Sequence, residues 1–259
     1  MKEWISGRNP VYEVLQARRR HFFELKVAQG ADIKGRLQQI IAAASGMRLP
    51  IRQVPRQQLD SISENHQGVA LLASGYPYSD LQTVLALSSK RGEAGFFLVL
   101  DSLQDPQNLG TLLRTAESTA VHGVFIPSHR AAGVTPAVEH ASSGASEHLQ
   151  IAAGNLVQVI EALKDAGAWV IGLEGSPQAQ PIESANLSGP LALVVGSEGA
   201  GLRSLVSKSC DLLVRLPMRG RVESLNAAVA GSIALYLAYQ ARLPEHPHAN
   251  GHRTPAPGS

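Results

Sequence analysis

The chain has 259 residues, of which 44% are hydrophobic and 17% charged, a composition typical of a globular protein with one large domain or two ordinary ones. It contains no apolar run of about eighteen residues, as a membrane span requires, and its N-terminus lacks the apolar block of a secretory signal. We therefore expect a cytoplasmic protein without membrane association. The single cysteine, Cys210, excludes an internal disulfide and a multi-cysteine zinc site, and we expect no metal.

Basic charge is concentrated in the first part of the chain. Residues 1–74 carry eleven Lys and Arg against six Asp and Glu, whereas residues 75–242 carry eleven against fourteen. A net charge of +2 is too weak to indicate nucleic acid, but the surplus of basic charge in the N-terminal part makes that part the place to look for phosphate contacts. The planar guanidinium of arginine can donate two hydrogen bonds to one phosphate. The candidate phosphate contacts are therefore Arg8, Arg18, Arg19 and Arg20. A solvated helix end is the simpler interpretation of the run 18–20 taken alone.

Residues 1–74 alternate apolar runs with helical segments, which predicts a small α/β domain. The expected strands lie near 24–28, 50–54 and 68–73, and the expected helices lie around 32–45 and from 56. Residues 75–94, with Gly, Pro and Ser at the start, a helix over 81–89 and a charged end, are predicted to be a linker.

Residues 95–242 alternate buried-type strands with helices, a pattern that predicts a parallel, doubly wound sheet. Strands are expected near 96–101, 124–127, 169–173, 191–196 and 212–217, and helices over 155–166 and 226–241. Ligands on such sheets bind beyond the carboxyl ends of strands, which directs attention to the loops after residues 101, 196 and 216. The tail 243–259 contains four prolines and is expected to be disordered.

The first of these loops lies in the sequence DSLQDPQNLGTLLRTAE, residues 101–117. Asp105 and Pro106 start a turn, Gly110 permits close approach of the backbone, and a helix follows. Asn108 and Arg114 are candidates to face the crevice at the strand ends. The structural alternative makes Asn108 a helix cap and Arg114 a surface charge.

The second loop lies in LALVVGSEGAGLRSL, residues 191–205, where three glycines surround Ser197 and Glu198. The spacing is neither the dinucleotide fingerprint nor a phosphate-binding loop, and no nucleophile elbow is present. Hydride transfer and phosphoryl transfer therefore lose support. A carboxylate buried in a glycine turn is costly unless paired, so we expect Glu198 to pair with an arginine such as Arg114.

The third loop, LPMRGRVESLN at 216–226, carries more functional groups than a turn requires. Leu216, Pro217 and Met218 offer an apolar bed suited to an adenine ring, while Ser224 and Asn226 stand where a helix is capped. The helix that follows has an unusually small face, which predicts close packing against the sheet or a second subunit.

In this order, the motifs N-x-G-x-x-x-R-T-A, G-S-E-G-x-G-L and L-P-M-x-G-x-V-x-S-L-N resemble those of the SpoU/TrmH (SPOUT) family of RNA 2′-O-ribose methyltransferases. The resemblance covers residues 96–242. The opening ISGRNPVYEVL, with a small α/β domain after it, resembles the L30e/L7Ae-like substrate-binding domain of the branch that modifies guanosine in large-subunit (23S) ribosomal RNA.

The resemblance implies a sheet whose C-terminal part is tied in a trefoil knot, S-adenosylmethionine held there, and a homodimer whose site uses residues of both subunits. The positions that match the family's cofactor site are Gly196, Leu216, Met218, Ser224 and Leu225. The positions that match its catalytic polar side chains are Asn108, Arg114, Glu198, Ser224 and Asn226. His140 stands where such proteins often have a lysine that contacts RNA, and His140 is the sequence's candidate for that contact.

The arginine matching Arg114 has been assigned in the family as the base that deprotonates the ribose hydroxyl. A guanidinium stays protonated far above neutral pH and is therefore a poor proton acceptor, so we expect Arg114 to bind phosphate and stabilise the developing alkoxide. Three other functions remain open: a methyltransferase acting on transfer RNA, a non-catalytic RNA-binding protein on the same fold, and, more distantly, a nucleotide-binding regulator.

Overall fold

The structure is a computed structural model that describes residues 1–129, 131–199, 201–221 and 224–243. Apart from Leu243, the tail predicted to be disordered lies outside the described residues. The helices are α1 Arg8–Ala17, α2 Arg36–Gly46, α3 Arg56–Asp60, α4 Leu81–Arg91, α5 Pro106–Ser118, α6 Pro136–Ala141, α7 Leu156–Asp165, α8 Ser204–Ser209 and α9 Ala227–Arg242. The strands are β1 Lys2–Ser6, β2 Phe22–Ala28, β3 Ile51–Val54, β4 Val69–Ser74, β5 Phe96–Leu100, β6 Gly123–Pro127, β7 Ile151–Gly154, β8 Trp169–Leu173, β9 Gln180–Pro181, β10 Leu191–Val195 and β11 Leu212–Arg215.

The N-terminal part forms a four-stranded mixed sheet in the order β1-β4-β2-β3. β4 pairs antiparallel with β1 and β2, and β2 pairs parallel with β3. Apolar residues of α1 and α2 cover one face of this sheet. Neither β1 nor α1 is among the elements predicted from the sequence. The N-cap of α1 is Gly7, which has no side chain to cap the helix, so the usual start signal is lacking.

The C-terminal part forms a seven-stranded sheet in the order β7-β6-β5-β10-β8-β11-β9, in which every pair is parallel. One core packs α5, α6 and α9 against the sheet, and a second core packs α4, α7 and α8 against its other face. The predicted parallel, doubly wound sheet is confirmed. The order of the strands does not show whether the chain passes through one of its own loops. The trefoil knot therefore stays a prediction implied by the resemblance.

The arrangement of the strands brings the three loops of interest to one edge. β5 and β10 are neighbours, and β8 alone separates β10 from β11. Because the strands are parallel, their carboxyl ends lie on the same side of the sheet. The loops after residues 101, 196 and 216 therefore meet there.

Candidate active site

Asn226 is the residue at which the three loops join. It is the N-cap of α9, and its Oδ1 accepts hydrogen bonds from the backbone N–H of Ala228 at 2.9 Å and of Val229 at 3.1 Å. Its Nδ2 donates to Asn108 Oδ1 at 3.0 Å and also to a carboxylate oxygen of Glu198. One side chain thus starts the last helix and holds a residue from each of the other two loops.

Asn108 completes the cluster from α5. Its Nδ2 lies 3.4 Å from Glu198 Oε2, and the residue is buried. Asp105, which accepts from the backbone N–H of Gln107, is the N-cap of α5, so the interpretation of Asn108 as a helix cap is wrong. Asn108 is free to orient Glu198 and Asn226.

The expected ion pair between Glu198 and Arg114 is not formed in this chain. Glu198 is exposed and accepts hydrogen bonds from two side-chain amides, Asn108 and Asn226. A carboxylate in contact with water does not need a counter-ion to offset burial, so the premise of the expectation fails.

Arg114 projects away from this cluster. It is exposed, and its Nη1 donates to Ser143 Oγ at 3.4 Å. Arg114 follows Asn108 by six positions on α5, a rise of about 9 Å with the side chain about 240° around the axis. Asn108 and Arg114, which belong to the same sequence motif, therefore project from different faces of α5.

A cavity of about 670 Å³ opens beside the Asn108–Glu198–Asn226 cluster. It is lined by all five residues predicted to hold a cofactor, Gly196, Leu216, Met218, Ser224 and Leu225, together with Glu198 and Asn226. Gly196 is required for its shape, because a Cβ there would lie 2.3 Å from the carbonyl carbon of Gly201. Ser197 and Gly201 close this turn with a pair of backbone hydrogen bonds of 3.1 Å.

One wall of the cavity was not predicted from the sequence. Glu174, Gly175 and Ser176, from the loop after β8, line it, as does Arg215 at the end of β11. The sequence did contain the signal for this wall. The strand at 169–173 was predicted, and ligands bind beyond the carboxyl end of any strand in a parallel sheet. A role for Asp101 was not predicted either. Its buried carboxylate accepts hydrogen bonds from the Arg203 backbone N–H at 2.8 Å and from Arg203 Nε at 2.6 Å. That pair ties the loop after β5 to the loop after β10.

Two of the four candidate RNA-binding arginines are available to a ligand. Arg18 is exposed. Arg8 is half-buried, donates from Nε to the Gln67 carbonyl at 3.2 Å, and lines a cavity of about 520 Å³ with Arg56. These positions remain candidates for contact with phosphate.

The structure corrects the expectation for Arg19 and Arg20. Arg20 has a fully buried side chain that forms ion pairs with Glu3, Glu139 and Glu147. Arg19 donates to Tyr76 and to backbone carbonyls that include Glu147 and Pro77. Both guanidinium groups are occupied inside the protein, between the two sheets, and the interpretation of the run as a solvated helix end also fails for them.

His140 lies at the same junction. Its Nδ1 is buried and has no hydrogen-bond partner within the described part of the chain. A Cβ placed on Gly7 would come within 3.3 Å of that nitrogen. The imidazole therefore packs against the start of α1, which leaves less of the ring for the predicted RNA contact.

No other catalytic group stands out in the part of the chain that the structure describes. Burial raises the pKa of the Cys210 thiol to about 12, which agrees with an unreactive cysteine. Among the described residues, no group of three or more His, Cys, Asp and Glu is placed to hold a metal ion. Over the same residues, no helix has the length and apolar character to cross a membrane.

Comparison with known proteins agrees with this geometry. The model of the SpoU rRNA methylase family matches residues 95–236, and the model for RNA 2′-O ribose methyltransferase substrate binding matches residues 4–79. A Bacillus subtilis protein named as a TrmH family tRNA/rRNA methyltransferase, YacO, is 40% identical over 246 residues, covering 93% of this chain and 97% of its own length.

Solved structures show the same fold over nearly the whole chain. A crystal structure of an RNA 2′-O ribose methyltransferase superposes with a TM-score of 0.74 at 27% identity, covering 93% of this chain and 89% of the other. An AdoMet-bound rRNA methyltransferase from Sinorhizobium meliloti gives 0.77 at 23% identity, covering 94% and 88%. With both family models matched in chain order and a relative aligned end to end, this chain belongs to the SpoU/TrmH family of RNA 2′-O-ribose methyltransferases.

Proposed function

We propose that this chain transfers a methyl group from S-adenosylmethionine to a ribose 2′-hydroxyl of large-subunit ribosomal RNA, at a guanosine. The observation that carries the proposal is the hydrogen-bonded cluster of Asn108, Glu198 and Asn226 beside a cavity lined by the five matched cofactor positions. Polar groups for an RNA hydroxyl and a site for a cofactor thus adjoin one another. With this substrate, we also propose that the enzyme acts in the cytoplasm.

The cavity fits S-adenosylmethionine in size and chemistry. Its volume of about 670 Å³ lies within the roughly 300–1,000 Å³ of small-molecule sites. Leu216 and Met218 supply apolar surface for the adenine, and the turn closed by Gly196 and Gly201 brings backbone groups to the wall of the cavity. The Glu198 carboxylate complements the positive charge of the cofactor. The cofactor contributes an electrophilic methyl group carried on a positively charged sulfur.

The protein's own contribution is orientation and electrostatics. Asn226 and Asn108 hold the Glu198 carboxylate, so the polar wall of the site is fixed before RNA arrives. The Arg114 guanidinium binds the phosphate beside the target ribose and stabilises the oxygen as its proton leaves. The proton goes to that phosphate or to water.

We also propose that the active form is a homodimer. Val229, Ile233 and Tyr236 recur on one face of α9 and are 45%, 41% and 53% exposed, an apolar stripe next to the site. The small residues of α9 do not supply this face, because Gly231 is buried and a Cβ there would meet Leu112 of α5 at 2.6 Å. With Arg114 directed away from its own cavity, pairing along this stripe would let it serve the partner subunit's site.

The choice of ribosomal over transfer RNA rests on the N-terminal part. The matched substrate-binding model covers a complete α/β unit, residues 4–79, with the basic surplus noted above. The transfer-RNA branch usually carries short helical extensions instead. Methylation of transfer RNA is the alternative that the relatives' shared naming keeps open.

The test is transfer of labelled methyl groups from S-adenosylmethionine to unmodified ribosomal RNA and, separately, to transfer RNA, with products mapped by resistance to alkaline cleavage. We expect one ribose of the large-subunit RNA to become resistant. Label found only on a base would refute ribose methylation, and label confined to transfer RNA would select the alternative. An Asn108→Ala variant is the control, and we expect it to retain cofactor binding with reduced transfer.

A further inference from the structure

A buried ion cluster, formed by Arg20, Glu3, Glu139 and Glu147, joins the N-terminal sheet to the C-terminal part of the chain. Arg20 Nη2 lies 2.8 Å from Glu139 Oε1 and 2.6 Å from Glu147 Oε1, and Nη1 contacts Glu3. The side chains of Arg20, Glu139 and Glu147 are 0% exposed. Arg20 also donates from Nη1 to the Ser74 carbonyl at 3.1 Å. A single guanidinium therefore bonds to both parts of the molecule.

The ion cluster is not expected to add much to the net stability of the folded chain. Moving charges out of water costs about as much as their attraction returns, so well-packed apolar side chains stabilise such a position equally well. Three carboxyl groups also surround one guanidinium, and the second oxygens of Glu139 and Glu147 are buried without a hydrogen-bond partner among the residues that the structure describes. What the planar fork of arginine adds is a defined direction for each carboxylate it holds.

The segment held in this way reaches Arg114. Glu139 lies in α6, and Glu147 lies in the short 3₁₀ turn at Ala145–His148. Arg20 therefore contacts one residue before Ser143 and one after it. Ser143 has a left-handed backbone with φ of 56°, a conformation that a residue with a Cβ keeps only when its surroundings impose it. Its hydroxyl is the group to which Arg114 donates, at 3.4 Å.

The same segment also packs against α5 directly. A Cβ on Gly110 would lie 2.4 Å from the Cβ of Ala141, so α5 and the end of α6 are in tight contact one helical turn before Arg114. Any shift of residues 139–147 therefore moves the surface on which the Arg114 side chain rests.

We propose that Arg20 is a positioning residue for methyl transfer: from the N-terminal part it holds residues 139–147 so that Ser143 orients Arg114. The inference rests on the proposed function. It gives the N-terminal part a second role, because that part then completes the geometry of the site as well as contacting RNA.

The test compares Arg20→Lys with Leu15→Ala. Lysine keeps the charge but lacks the fork, whereas Leu15 is a fully buried apolar residue of the N-terminal core and cannot form an ion pair. We expect Arg20→Lys to lower kcat about 10- to 100-fold, as a displacement of up to 1 Å can, with unchanged affinity for S-adenosylmethionine. Leu15→Ala should lower the melting temperature but keep kcat within twofold, measured well below that temperature.

Hydrogen exchange followed by mass spectrometry supplies a readout that does not depend on activity. Backbone amides of residues 139–147 should exchange faster in Arg20→Lys and be unchanged in Leu15→Ala. Equal kcat in Arg20→Lys and Leu15→Ala, or unchanged protection of 139–147 in Arg20→Lys, overturns the role of Arg20. Absence of ribose methylation by the unmodified chain would instead refute the proposed function.

Discussion

Replacing Asn226 separates its structural task from its chemical one. Asn226→Ala removes the cap of α9 and both side-chain donations, to Asn108 and to Glu198. Asn226→Ser keeps an oxygen able to cap the helix, but its hydroxyl is too short to reach the two partners. The pair of variants therefore distinguishes loss of the cap from loss of the cluster.

The magnitudes follow from the bonds lost. An N-cap contributes about 1 kcal/mol, and each net side-chain hydrogen bond contributes about 0.5–1.5 kcal/mol, with the lower figure for the solvent-exposed contact to Glu198. Asn226→Ala should therefore destabilise the chain by about 2–3 kcal/mol. At about 2–4 °C per kcal/mol for a chain of this size, its melting temperature falls by roughly 4–12 °C. Asn226→Ser should lose about half as much, because the cap survives.

The two Asn226 variants should differ in stability but not in methyl-transfer activity. Both variants remove the hydrogen bond from Asn226 to the Glu198 carboxylate and leave it the 3.4 Å bond from Asn108, so we expect kcat for ribose methylation to fall by roughly 10- to 100-fold in each. The control is Asn155→Ala, which removes the cap of α7, a 3.0 Å bond to Val157, on the helix layer opposite α9. It should lose about 1 kcal/mol and keep its kcat. Full activity in Asn226→Ser, with the melting curve of a capped helix, would show that the cluster plays no part in the reaction.

Three further predictions concern the cofactor turn, the subunit contact and the ion cluster. Gly196→Ala should weaken binding of S-adenosylmethionine at least about tenfold by calorimetry, because the added Cβ meets the Gly201 backbone, while Gly189→Ala, where a Cβ meets nothing within 4 Å, should bind normally. Tyr236→Glu should reduce the mass in light scattering to that of one chain and abolish methyl transfer; an active monomer would contradict the shared site. Burial, then the neighbouring Glu147 carboxylate, raise the pKa of Glu139, so the folded state retains a proton that the unfolded state releases, and the free energy of unfolding falls as pH rises above the ordinary titration range of a glutamate. Glu139→Gln should flatten that dependence in melting curves, and an unchanged slope would exclude Glu139 as its source.

Local sequence rules predicted most of the C-terminal part correctly. β8 was placed at its observed bounds, and α9 began within one residue of its prediction because Asn226 is a strong cap signal. β7, with the sequence IAAG, and the two-residue β9 were missed. Strands this short carry too few residues to show a period, and pairing with neighbours decides them.

The residues of the site were predictable as a set, but their partners were not. Three motifs identified Asn108, Glu198 and Asn226, and the structure joins them by hydrogen bonds. The assignment of Arg114 to Glu198 failed, because the spacing between Asn108 and Arg114 on a helix places them on different faces.

The sequence by itself determined the alternation of strands and helices, the strand-end loops that carry polar side chains, and the family they match. These depend on short-range periodicity and local turn chemistry. Only the tertiary structure decided the environment of each arginine in the run at 18–20. Arg18 is exposed, Arg19 is partly buried and Arg20 is fully buried. Their difference comes from residues more than a hundred positions away, Glu139 and Glu147, which meet Arg20 once the two sheets pack together.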